Sequence, residues 1–414
     1  MSRRSVITEL LGLQGWNVAK DGMTIGEEDV VVGIERERGL GYECSRCGET
    51  TLAYYDQLPR RRVRDFPVWG RRSWVEFTPV RVQCRRCGGI AIEALGWIEP
   101  YQHLTLRYER YVAALCDILP VLDVAEQEGL SKDTVYRLDR KWLGRREKER
   151  VPREVRLLGI DEIALRKGHV YATVFYDLER REVIGLVATR RERAVGGWFR
   201  RWGKARCRAV EAVCMDLWGP YLNSVRRHCK RAVIVFDKFH VYGYLSAAID
   251  EVRRIEQNKA DAEGKKVLKG SRWLLLKNTE NLRRKDQRRL QELMALNKPL
   301  QQAHLLKEDF TQFYTCPNRD QAATFLQHWV AECKQSRLRP FQQLAKRLLR
   351  WGQGILAYFQ HRITNAVSEG LNNKIKVLKR RAYGFHDIHY FFLKILNITG
   401  ALPKLASGTH RNTE

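Results

Sequence analysis

Hydrophobic and polar positions change period along the chain. In residues 1–98, runs such as DVVVGIE (29–35) and SWVEFTPVRVQC (73–84) place apolar residues at about every second position. Period two is the spacing of a half-buried strand, so this stretch predicts a small β-rich domain. Residues 99–150 shift to helical spacing. VLDVAEQEGLSKDTVYRLDRKWL (121–143) has a small Ala125, a turn residue Gly129, Ser131 as helix cap, and Val135 and Leu138 facing inward. That is the pattern of a helix-turn-helix. Its second helix would present Lys132, Asp133, Thr134 and Arg137 to DNA. An ordinary helical hairpin fits the same spacing.

From residue 151 apolar runs alternate with polar, helix-like ones. VRLLGIDEIAL (155–165), VYATVFYDLE (170–179) and EVIGLVAT (182–189) read as three strands. RERAVGGWFRRWGKAR (191–206) reads as a helix, AVEAVCMDLW (209–218) as a strand, GPYLNSVRRHCK (219–230) as a helix and AVIVFDKFHV (232–241) as a fifth strand. The order β-β-β-α-β-α-β is that of the ribonuclease H-like fold. Residues 251–354 are polar and helical in pattern and predict an all-α insertion. The helical segment ITNAVSEGLNNKIKVLKRRAYGF (363–385) follows it. The expected architecture is an α/β ribonuclease H-like core (151–250 and 355–400) interrupted by the insertion. A zinc-binding domain (1–98) and a helix-turn-helix domain (99–150) precede it, and a tail (401–414) follows.

Charge narrows the function. Lys and Arg number 75 against 48 Asp and Glu, for a net charge of +27 over 414 residues. A surplus of this size calls for a polyanionic partner, first of all nucleic acid. Absence of an apolar run of about 18 residues argues against a membrane span. The N-terminus has no sustained apolar stretch or small-residue cleavage site, so a cytoplasmic protein is expected, on the nucleoid when bound to DNA.

Four of the ten cysteines form two C-x-x-C units, Cys44/Cys47 and Cys84/Cys87, each followed by glycine. Two such knuckles supply the four thiolates of a structural zinc ribbon, one Zn²⁺ per chain. Unrelated reduced thiols, or a redox pair, are the alternatives. Between the knuckles PRRRVRDFPVWGRR (59–72) reads as a basic loop, with Arg60, Arg61 and Arg62 suited to phosphate contact.

Three acids raise the question of chemistry. Asp161 lies inside an apolar strand, where an unpaired charge costs several kcal/mol. Asp216 ends the fourth strand. Glu369 lies on a helix where Glu369, Asn372, Asn373 and Lys376 share one face at i, i+3, i+4 and i+7. Acids on two adjacent strands and one helix can hold two Mg²⁺ (or Mn²⁺) ions about 4 Å apart, which clamp the attacking and leaving oxygens of a phosphodiester. Asp237 also ends a strand. In this fold the fourth strand lies beside the first and the fifth beyond it. A residue on the fifth is therefore roughly 9–10 Å from the first, and Asp216 is the expected partner of Asp161. Glu162 alternates to the opposite face.

The chain resembles a DDE transposase of a bacterial insertion sequence, of the ISL-three type. The carriers are the C-x-x-C pairs with RRVRDFPVWG between them, GIDEIALRKGHVYATVFYD, DLWGPYLNSV, AVIVFDKFHV and SEGLNNKIKVLKRRAYGF. The resemblance covers nearly the whole chain. It implies a catalytic triad of Asp161, Asp216 and Glu369, and DNA cleavage followed by strand transfer at terminal inverted repeats. It also implies supporting or DNA-positioning roles for Asp237 and His240, with Asn372 and Asn373 nearby. Lys376, Lys379, Arg380 and Arg381 would contact the substrate backbone. The partner is double-stranded DNA, and pairing two ends calls for a dimer or larger assembly. A DNA-binding regulator derived from such an element, or a structure-specific nuclease, would share much of this pattern.

Overall fold

A computed structural model describes residues 6–405 except Lys167 and His169, and the side chain of Ile7 is also outside the description. The expected tail lies mostly beyond these residues. Two compact units result: 6–150 with 402–405, and 151–401.

The first unit carries a four-stranded sheet. Strand Asp29–Arg36 lies between Trp16–Ile25 and Arg71–Phe77, and Arg61–Val68 forms the edge. Here the sequence reading needs correction. The basic segment after residue 60 is a β-hairpin, not a loop. Ser73, Val75 and Phe77 are buried at every second position, and Val63 pairs with Val75, so period-two burial draws the segment into the sheet. The charges of this segment are partly spent within the fold. Arg62 and Arg60 meet Glu76 at 2.5 and 3.4 Å. Arg61 donates to the carbonyl of Gln102 (2.6 Å). Buried Asp65 accepts from Thr105 (2.6 Å) and from Arg107 Nε (2.7 Å).

Helices Leu106–Ile118, Val121–Glu128 and Lys132–Glu149 follow. Gly129 adopts φ +59°, and the Leu130 N–H returns to the carbonyl of Ala125 (2.9 Å), the glycine-terminated end expected of a tight interhelical turn. Ser131 Oγ then accepts from the Thr134 N–H, capping the third helix. Lys132, Asp133 and Arg137 are exposed and Thr134 is half-buried, while Val135 and Leu138 enter the core.

The second unit is built on a five-stranded sheet. Its core strands, in chain order, are Leu157–Arg166, Val170–Asp177, Glu182–Val187, Ala212–Met215 and Val233–Phe236. Their spatial order is third, second, first, fourth, fifth. The first three are antiparallel; the fourth and fifth run parallel to the first. Apolar side chains such as Leu158, Ile160, Val213 and Met215 are fully buried, as runs covered on both faces require. Gly185 permits a close approach: a Cβ there would lie 2.1 Å from Trp198 Nε1. Its absence lets that indole stack on Phe175, ring centroids 3.6 Å apart.

Residues expected as an insertion do not form a separate body. Helix Lys238–Lys259 starts directly after the fifth strand, and helix Arg339–Leu356 returns against that strand. Gly354 brings the returning backbone onto Phe236, and Trp351 packs edge-on to the same ring. Phe310, Trp329 and Phe341 belong to the same buried cluster as Ile160 and Met215. One continuous core explains why the boundaries at 250 and 354 fall inside helices.

Candidate active site

Strand register assembles the site. Ile160 pairs with Met215, and Met215 with Phe236, on three adjacent parallel strands. The next residue of each is an aspartate: Asp161, Asp216 and Asp237. Three carboxylates therefore stand side by side across the sheet, at the level where the fourth and fifth strands end, with Asp216 between the other two.

Their surroundings differ. Asp161 Oδ1 accepts the Glu162 N–H (2.7 Å), and Oδ2 accepts the Asn372 amide (2.9 Å). Asn372 in turn accepts from the Tyr176 hydroxyl (2.6 Å). Asn372 thus ties helix Ala366–Arg381 to the first strand. Asp237 is buried and accepts the Asn365 N–H (3.2 Å). The Asn365 side chain donates to the carbonyl of Ile160 (3.3 Å). Asp237 is thus engaged in anchoring the segment that starts this helix. Asp216 is the least engaged. His240 Nε2 approaches its Oδ1 to 2.7 Å, and this is the one side-chain contact to the carboxylate among the described residues. It keeps lone pairs for a cation.

Asp161, Asp216 and His240 each offer a donor atom within 4.8 Å of the others, the arrangement of a cation site. Two carboxylates suit a hard divalent ion. Glu369 is not in this cluster among the described residues. It is exposed in the first turn of its helix, one turn before Asn372. His240, read from the sequence as a supporting group, stands inside the cluster. Its signal was the D-x-x-H spacing: Asp237 precedes the helix start, and His240 lies within its first turn. Asn365 and Tyr176 carried no sequence signal.

Burial, with the neighbouring Asp216 charge, raises the Asp161 pKa from 3.8 to about 6. The Asp216 contact raises that of His240. Burial raises Asp237. A raised carboxyl pKa means folding favours the protonated form. The stability this group contributes is full below pH 3.8 and lost as pH rises through about 6. Asp161→Asn is therefore expected to stabilise the metal-free core at pH 7.5 by about 1–2 kcal/mol, a few degrees in Tm, after one lost hydrogen bond is deducted. The gain should vanish near pH 4. Calorimetry in chelator at both pH values checks this; a lower Tm for the variant at pH 7.5 would contradict it.

The helical face of Glu369 and Asn372 continues into basic residues. Lys376, Arg380 and Arg381 are exposed. Lys379 instead donates to the carbonyls of Ala164 and Leu165 (3.2 and 2.7 Å) and braces the first strand. Asn373 is exposed. Glu162 faces Arg190 (3.4 Å), consistent with a place away from the carboxylate cluster.

In the first unit the four cysteines of the knuckles come together. Their sulfurs lie within 4.8 Å of one another, with Cys47 and Cys84 3.6 Å apart, and none forms a disulfide. Backbone N–H groups of Arg46 and Cys47 and the neighbouring thiols lower the Cys44 pKa to about 7, while thiol neighbours, Cys47 foremost, push Cys87 up to about 12. Four soft donors around one point, with one already favoured as thiolate, fit tetrahedral zinc.

A sheet in this order, aspartates at one level on adjacent strands and a helix-turn-helix in the same chain fit a DNA-processing enzyme of the DDE transposase class. Residues 158–395 match the ISL3 DDE family described as a transposase, and residues 93–143 match the helix-turn-helix domain of transposase family ISL3. The chain belongs to this family. It is 34% identical over 355 residues to the transposase for insertion sequence element IS1001 of Bordetella parapertussis, covering 85% of this chain and 87% of that protein. It is 25% identical over 438 aligned positions to the transposase for insertion sequence element IS1557 of Mycobacterium tuberculosis, covering 98% and 97%. The chain is thus an insertion-sequence transposase that binds DNA, and membership of the DDE class implies divalent metal use, DNA cleavage and strand transfer. No helix among the described residues is long and apolar enough to cross a membrane.

Proposed function

We propose that Asp161, Asp216 and Glu369 are the catalytic acids, and that they hold two divalent ions, Mg²⁺ or Mn²⁺, at the end of the core sheet. The carrying observation is the register that sets Asp216 beside Asp161, with Asn372 bonding the Glu369 helix to the same Asp161 carboxylate. Such ions activate the attacking oxygen and neutralise the leaving one. The protein's own groups do the positioning. Asn372, held by Tyr176, fixes the direction of the Asp161 lone pairs. Asp237 and Asn365 fix the start of the helix, which sets Glu369 one turn before Asn372, the residue that bonds Asp161. Lys376, Arg380 and Arg381 take the substrate phosphates, and Lys379 holds the strand end. Proximity of the donors favours a second reading, in which His240 replaces Glu369 as the third ligand.

In the first unit Cys44, Cys47, Cys84 and Cys87 hold one structural zinc, making a ribbon that supports the sheet. This domain and the helix-turn-helix bind the terminal repeats, with Lys132, Thr134 and Arg137 directed at DNA and the Arg60–Arg62 group at phosphate. Residues 1–98 and 99–150 then form the end-binding part, and 151–400 the catalytic part, the long helical segment included. Two ends must meet, so the working species is a homodimer or larger, acting in the bacterial cytoplasm on the nucleoid. The test is joining of the element's own end duplexes to plasmid DNA by the full-length chain in Mg²⁺. Joined products support this reading, and nicking without joining makes the protein a nuclease.

A further inference from the structure

Tyr383, just past the end of the active-site helix, holds a backbone conformation that its own side chain does not explain. Helix Ala366–Arg381 ends through Ala382, and the Gly384 N–H returns to the carbonyl of Lys379 (3.0 Å). In this type of helix end the residue between them adopts the left-handed conformation, a place usually taken by glycine. Here it is Tyr383, at φ +51°. A bulky residue there is strained. Nor does packing repay the strain, because the side chain is 95% exposed.

Tyr383 borders an open cavity of about 510 Å³. Ile375 and Phe391 supply apolar wall, and Lys376 and Arg380 supply positive charge. Asn372, which bonds Asp161, lines the same cavity. The volume falls in the range of clefts that take a small molecule. An exposed aromatic ring and cations for a phosphate are the elements that hold an unstacked nucleotide.

We propose that Tyr383 is a stacking platform for one nucleobase drawn out of the duplex beside the cleavage site. The assignment deepens the catalytic reading above and rests on it. Tyr383 follows Asn372 by eleven positions, about 16 Å at helical rise. That is roughly five nucleotides of duplex, so the base lies within about that distance of the reacting phosphate. The phenol oxygen is not needed for stacking; the ring face is.

The test uses full-length protein and end duplexes that carry 2-aminopurine, scanned over the eight nucleotides flanking the cleavage site. Fluorescence is read in the non-cleaving Asp161→Asn background, so catalysis does not enter. One position is expected to change intensity on binding, and Tyr383→Gly is expected to abolish that change. In the otherwise wild-type chain Tyr383→Gly should slow joining about five- to hundred-fold, the range of one lost base–aromatic stack. Glycine suits the backbone there, so the variant should melt no lower than wild type. Tyr383→Phe should restore both signals. No fluorescence change at any position, a Tyr383→Gly that joins at the wild-type rate, or a Tyr383→Phe as defective as glycine would each overturn the proposal. Joining by the Asp161→Asn chain would remove the catalytic assignment instead and leave the fluorescence result standing.

Discussion

Asp161→Asn is expected to lose cleavage and joining by about 10³-fold or more while end binding stays within a few-fold of wild type. The size follows from the position. The Asp161 carboxylate is largely buried between the Glu162 N–H and the Asn372 amide, beside Asp216. Asparagine keeps the shape and removes the negative charge. Losing several kcal/mol of stabilisation of the reacting oxygens corresponds to that factor, at about 1.4 kcal/mol per tenfold. Binding is spared because most of the affinity of so basic a chain acts through phosphate contacts spread over its surface. Gel shift and a strand-transfer time course on the same end duplex check both halves. Robust turnover by the variant in Mg²⁺ would contradict the site.

Cys84→Ser is expected to unfold the cysteine-bearing part of the first unit and abolish end-specific binding, while the 151–401 unit keeps its own melting transition. Cys84 is fully buried, and its sulfur lies 3.6 Å from that of Cys47. The strands around the knuckles are short: Tyr42–Glu43, Thr50–Thr51 and Gly89–Ile92. Among the described residues the apolar cluster there is Ala91 with Cys44, Cys84 and Cys47. So small a cluster cannot hold these segments without a cross-link. A four-thiolate zinc contributes roughly 10–16 kcal/mol of binding free energy in small zinc-finger peptides, which is folding free energy. Metal analysis should find one zinc per chain of reduced wild-type protein and less in the variant. Zinc-free wild type with intact binding would refute the assignment.

The core strands are legible because burial on both faces demands unbroken apolar runs, and each aspartate stands out where such a run ends or is interrupted. Strand adjacency then separates Asp216 from Asp237 as neighbour of Asp161, and the register agrees. The basic hairpin is misread as a loop because its arginines mask period two: Val63, Ser73, Val75 and Phe77 are the buried positions, and Arg64 is buried among them. Arginine can enter a core when its guanidinium finds partners, here the carbonyl of Glu128 (3.0 Å) and the Tyr108 ring. The long helical segment reads as separate because its surface is polar. What joins it to the sheet is a shared buried core built from contacts distant in sequence, Gly354 on Phe236 among them. Asn365 and the bracing role of Lys379 depend on such distant pairings too, and local pattern cannot reveal them; the D-x-x-H spacing signals His240, but not its place beside Asp216.

The identity of the third acid is where sequence and geometry pull apart. Glu369 comes from the sequence pattern, and His240 from proximity to Asp216 (2.7 Å). The deciding measurement is single-turnover strand transfer from pre-cleaved ends in Mg²⁺ by Glu369→Gln and His240→Ala, side by side with Asp161→Asn. The expected result is that Glu369→Gln is as inactive as Asp161→Asn while His240→Ala still joins DNA at a reduced rate. An active Glu369→Gln beside an inactive His240→Ala would contradict the triad and place the histidine on the metal.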